Sequence, residues 1–104
     1  MKIKLYDLDQ SVYDTYKFSV KGNRNVSFLL ARKKISRALA LSTCILGDEN
    51  AGVYVYGKML MVVKGNMVVF LANHMPCPKE WSFKKRNYLH YSRMLGIDAV
   101  LDEK

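Results

Sequence analysis

Cys44, His74, Cys77 and His90 are all the cysteines and histidines of this 104-residue chain. His74 and Cys77 stand in HMPC, the two-residue gap used by zinc knuckles, and four such ligands would close a structural zinc site. Cys44 and His90 lack the paired spacing that makes such motifs specific. The expectation is therefore no metal and no cofactor, with buried thiols and partly exposed imidazoles. Asp7, Asp9 and Asp14 are a second candidate cluster, since an Asp-x-Asp after a strand can serve as nucleophile and metal site in phosphate transfer. That chemistry needs a further lysine and more acids over a much longer α/β chain, and here Gln10 and Ser11 complete an ordinary turn. No Ser-His-Asp set, GxGxxG or P-loop is present, so ordinary enzymology has little support.

Charge is the stronger signal. Seventeen Lys and Arg against nine Asp and Glu leave a net charge of +8, which favours an acidic partner. Two clusters concentrate it: Lys33, Lys34 and Arg37 in one segment, and Lys84, Lys85 and Arg86 in another. Acids that could pair with them sit mostly in turns and at the C-terminus, so like charges repel by about 0.2–0.5 kcal/mol per pair. Seven tyrosines accompany them. Tyr54 and Tyr56, beside Lys58, could stack on unpaired bases, each stack contributing about 1–3 kcal/mol. The plainer reading makes them the amphipathic rim of a core.

The elements that must carry these residues follow from patterning. VYVYGKMLMVVKGNMVVFLANH, residues 53–74, is the most apolar stretch, and Lys64-Gly65-Asn66 interrupt it. Each half is well short of the roughly 20 residues a bilayer span needs, so no membrane partner is expected. Gly65-Asn66 reads instead as a two-residue hairpin turn. Val63 then faces Val68, Met61 faces Phe70 and Met59 faces Ala72 on the core side. Lys58, Tyr54 and Tyr56 fall on the wetter side. Gly57 marks a bulge or a tight bend, leaving residues 53–63 as one kinked strand or two short ones.

KIKLY and YKFSV read as short strands around the turn DLDQS. From an N-cap at Asn25 or Ser27, FLLARKKISRALALS places Phe28, Ala31, Ile35, Ala38, Leu39 and Ser42 on one helical face and Lys33, Lys34 and Arg37 on the other. A second helix runs from Pro78 to Gly96, with Trp81, Tyr88, Tyr91 and Leu95 in one stripe and Lys79, Arg86 and Arg93 opposite. The tetrapeptide VKGN occurs at 20–23 and 63–66, each time before an apolar run; as a real duplication it would make residues 26–30 a strand, but turn vocabulary is small and coincidence is the simpler reading.

The expected fold is a single α+β domain over residues 1–104, a small antiparallel sheet of about four to six strands with two amphipathic helices. The opening residues lack a signal-peptide core and the cysteines form no framework, so a cytoplasmic setting is expected. The expected function is non-catalytic binding of RNA or DNA, or of the acidic face of a nucleic-acid-processing complex, through Lys33, Lys34, Arg37, Lys84, Lys85 and Arg86 with Tyr54, Tyr56 and Lys58. Small basic chains of this kind are frequent among viral and mobile-element inhibitors and regulators.

Residues 26–95 also resemble, in pattern, the RelE-type ribonuclease toxins: a helix, antiparallel strands through YGKMLMVVKGNMVVFLANH, then a basic helical end. The resemblance implies a metal-independent endoribonuclease with Lys64, His74, His90, Tyr91 and Arg93 as candidates, a histidine or lysine acting as general base and an arginine holding the phosphate. This chain departs by an extra N-terminal strand pair and by a single helix where a helical hairpin is usual. A structural or oligomerising module, homodimeric through the Met59, Met61 and Phe70 sheet face, is the third reading.

Overall fold

The computed structural model describes residues 4–48, 50–76 and 84–97. In chain order these form β1 (Asp7–Leu8), α1 (Gln10–Ser19), α2 (Phe28–Leu41), β2 (Thr43–Gly47), β3 (Ala51–Tyr56), β4 (Met59–Lys64), β5 (Met67–Ala72) and α3 (Lys85–Leu95). The strands make one sheet in the order β1-β5-β4-β3-β2, antiparallel throughout except that β1 runs parallel to β5. The α+β class and the strand number are as expected; a third helix and the parallel edge pair are additions.

The hairpins are set by two glycines. Lys64 pairs with Met67, leaving Gly65 and Asn66 as the turn, with Gly65 at φ 60°. Tyr56 pairs with Met59, so Gly57, at φ 61°, and Lys58 form a second two-residue turn. Positive φ at the first turn position matches the strand twist and strongly favours glycine. Lys58 is thus a turn residue, not a member of a strand face.

Beyond the first hairpin the expected register fails by one residue. Val63 pairs with Val68, but Val62 pairs with Phe70 and Met61 with Leu71, so Val69 is an extra residue in β5. A bulge reverses which side chains beyond it face inward. Leu71 is therefore buried with Met59, Met61, Val63 and Val68, whereas Phe70 points out of the opposite face.

YKFSV is not a strand. The Asp9 carboxylate accepts a hydrogen bond from the Ser11 N–H at 3.2 Å and caps α1, and Val12, Tyr16 and Val20 recur every four residues into the core. That helical period overrode the short alternation Tyr16, Phe18, Val20, leaving Phe18 exposed. Ser27 caps α2, its Oγ accepting from the Leu30 N–H at 3.1 Å. TCILG, which follows that helix, is strand β2. VKGN at 20–23 is the exit from α1 and turns no hairpin, so the echo is coincidental.

α1 and α2 cover one face of the sheet, where Val12, Tyr16, Ala31, Ile35 and Leu39 meet the inward strand residues. α3 packs on α2. Cys77, Lys79 and Trp81 lie outside the described residues.

Candidate polyanion-binding face

α3 presents the cations. Gly96, in the left-handed conformation at φ 68°, ends it, with the Gly96 N–H donating to the Arg93 carbonyl and the Ile97 N–H to that of Ser92. Tyr88, Tyr91 and Ser92 are buried against the body of the protein. Arg86, His90 and Arg93, spaced i, i+4, i+7, form an exposed stripe on the other side. Lys84 is the N-cap residue and makes no side-chain cap bond, and the first turn holds Lys85 and Arg86 and no acid. Each cation there opposes the positive end of the helix dipole, a mismatch of about 0.3–1 kcal/mol. Lys84, Lys85 and Arg86 are exposed.

Lys33, Lys34 and Arg37, all on α2, do not form an exposed patch. Arg37 is 3% exposed, and its Nη1 donates to Ser92 Oγ at 3.0 Å while its guanidinium lies 4.1 Å from the centroid of the Tyr88 ring. Lys34 Nζ donates to Asn23 Oδ1 at 2.8 Å, and Lys33 is half-buried. Arg37 lies on the flank of α2 where α3 docks, so it holds the two helices together. The spacing of α2 alone carries no sign of that, because it does not tell which flank a later helix will cover.

Tyr54 and Tyr56 also move. Tyr54 pairs with Met61 and Tyr56 with Met59, which places both on the helix-covered side of the sheet. Tyr56 is buried, and the Tyr54 hydroxyl donates to the Asp48 carbonyl at 3.1 Å. Burial above all, with smaller contributions from Cys44, Tyr6 and Asp48, raises the Tyr54 pKa above that of an ordinary tyrosine. Neither ring is a base-stacking platform.

What the fold does bring together is Lys34, Arg37, Tyr16, Tyr56, Asn73 and Tyr88, around a cavity between α1, α2, α3 and the sheet. Its volume is ≈ 30 Å³. That is room for one or two waters and not for a nucleotide, so the cavity is a packing feature.

The candidate ribonuclease residues are dispersed. Lys64 pairs with Met67 at the start of β5, and His74 follows its end. At about 3.3 Å per residue these two lie on the order of 20 Å apart, too far to share one scissile phosphate. Tyr91 is buried; His90 and Arg93 remain together on the outer face of α3. His74 is exposed and is the one non-glycine residue at positive φ, 65°, among the described residues.

The acidic cluster is absorbed by structure. Asp7 lies 3.7 Å from Arg32 Nε, Asp9 caps α1, and Asp14 accepts from Gln10 Nε2 at 3.1 Å. Among the described residues no three His, Cys, Asp or Glu side chains gather as a metal would need, and no helix is long and apolar enough to cross a membrane.

A sequence model of the family described as YorE matches residues 6–94, nearly the whole chain, and the protein belongs to that family. No curated protein and no solved structure matches it.

Proposed function

We propose that this YorE-family protein is a non-catalytic nucleic-acid-binding protein whose contact surface is the outer face of α3. The observation that carries this is the first turn with Lys84, Lys85 and Arg86, where the N-cap Lys84 makes no side-chain cap bond, continued by His90 and Arg93 along one exposed side. Such an arrangement is unfavourable to the helix by itself and favourable beside negative charge, and phosphate oxygens can also accept from N–H groups of a first helical turn. With one basic stripe and no exposed tyrosine pair beside it, the contact is to the phosphate backbone and is largely independent of sequence. A role as a regulator or inhibitor acting on nucleic acid suits a small basic chain of this kind.

The test is fluorescence anisotropy with labelled single-stranded RNA and double-stranded DNA at several salt concentrations, on the wild type and on the Lys84→Glu/Lys85→Glu/Arg86→Glu variant. The wild type should show a steep fall of log affinity with log salt, and the variant a slope shallower by about one unit for each phosphate it no longer neutralises. Unchanged affinity in the variant would remove the reading; binding to an acidic protein surface and to neither nucleic acid would redirect it.

The ribonuclease alternative gains one observation. With YKFSV helical, α1 and α2 supply two consecutive helices, so the single-helix departure noted from the sequence disappears, while of the expected N-terminal strand pair only β1 remains among the described residues. Its catalytic set, however, reduces to His90 and Arg93. Cleavage of RNA by the wild type, abolished in His90→Ala with affinity little changed, would favour it.

A further inference from the structure

We infer that the uncovered face of the sheet is the interface of a homodimer. Among the described residues the helices lie on one side only; on the other, the registers place Leu46, Val53, Val62 and Phe70 side by side across β2, β3, β4 and β5. Leu46 is 70% and Phe70 52% exposed. In the next row Lys64 and Asp7, of opposite sign, flank Met67. Val55, on the same face nearer the Tyr56 end, is only 5% exposed, so the open part is these two rows.

A second copy fits this surface better than an unrelated chain. The row is self-matching: from either end it reads large, Val, Val, large. A two-fold axis between β3 and β4 turns it onto itself, with Val62 on Val53 of the other copy and Phe70 on Leu46. An isologous interface requires that reciprocity.

Charge also permits it. No charged residue stands in the row, while the cationic stripe lies on α3, beyond the helix-covered side. In a sandwich with sheets about 10 Å apart the two stripes are separated by more than the Debye length of about 8 Å. Area, finally, limits the strength. The open side chains offer on the order of a few hundred Å² per copy, less than the roughly 800 Å² of a standard interface, so the dimer is in exchange with monomer.

Sedimentation velocity of the full chain between about 1 μM and 1 mM should show a monomer passing to a dimer, a range that captures weak association. Leu46→Asp and Val62→Asp, both at accessible positions, should each move the transition at least tenfold upward in concentration while leaving the circular dichroism of the monomer unchanged. In a Cys44→Ser/Cys77→Ser background, a mixture of Leu46→Cys and Phe70→Cys proteins should be joined by a short bis-maleimide, and neither protein alone should be. A monomer over the whole range, a dimer indifferent to both aspartates, or cross-linking of either variant by itself would each overturn the proposal.

Discussion

The guanidinium of Arg37 lies 4.1 Å from the centroid of the Tyr88 ring and 3.0 Å, through Nη1, from Ser92 Oγ, joining α2 to α3 in the interior. The Ser92 hydroxyl in turn donates to the Tyr88 carbonyl at 2.7 Å, so the acceptor that meets Arg37 is itself held by its own helix.

Arg37→Ala should therefore destabilise the protein by about 2–4 kcal/mol, since it removes a buried charge-assisted hydrogen bond and a cation–π interaction. Lys should rescue only part of it, since it lacks the planar fork. Chemical denaturation reads both. A midpoint unchanged in Arg37→Ala would mean that α3 docks without this residue. For the same reason the Lys33→Glu/Lys34→Glu/Arg37→Glu protein, which the sequence alone suggests should stay folded, is expected to unfold.

Gly47 and Gly65 both have positive φ, 85° and 60°, yet they should respond differently to alanine. At Gly65 an added Cβ meets nothing within 4 Å, so Gly65→Ala costs only the left-handed backbone, about 1–2 kcal/mol. At Gly47 the Cβ would meet the Ala51 carbonyl oxygen and lie 2.8 Å from the Gly52 Cα, so the β2–β3 pairing must shift as well. Thermal melts should rank Gly47→Ala well below Gly65→Ala; equal losses would contradict the packing at Gly47.

Reversing Lys84, Lys85 and Arg86 to glutamate should stabilise the free protein while weakening polyanion binding. Acids in the first turn complement the helix dipole, which contributes about 0.3–1 kcal/mol per position at low salt. A higher melting temperature together with weakened affinity would mark the first turn of α3 as a binding surface maintained against stability. A lower one would show that these cations have structural partners.

Burial raises the pKa of Tyr6, and burial with nearby groups raises that of Tyr54, above the ordinary value of 10.0. A raised value means that the folded state holds the phenolic proton more tightly than the unfolded chain does. The associated stability is fully present below pH 10 and is lost as pH rises through the folded-state values. Melting temperature should accordingly fall on the alkaline side of about pH 10, and Tyr54→Phe should lessen the slope. A profile unaltered in that variant would remove Tyr54 as a contributor.

Local chemistry was sufficient for those parts of the fold that depend on neighbours in sequence. The Gly65-Asn66 turn, the Ser27 cap, the apolar face of α2 and the Gly96 stop are each written within a few residues, because turn and cap energetics are short-range. The exposed cations of α3 were legible for the same reason, since the buried stripe Tyr88, Tyr91 defines its opposite. Three features depend on residues distant in the chain, and only the tertiary structure decided them. The Val69 bulge, which turns Phe70 outward, is visible only against β4. The choice of helix over strand at YKFSV came from burying Val12, Tyr16 and Val20 together in one core. Arg37 passed from surface to interior because α3, some fifty residues later, docks on the flank of α2 that local periodicity marks as solvent.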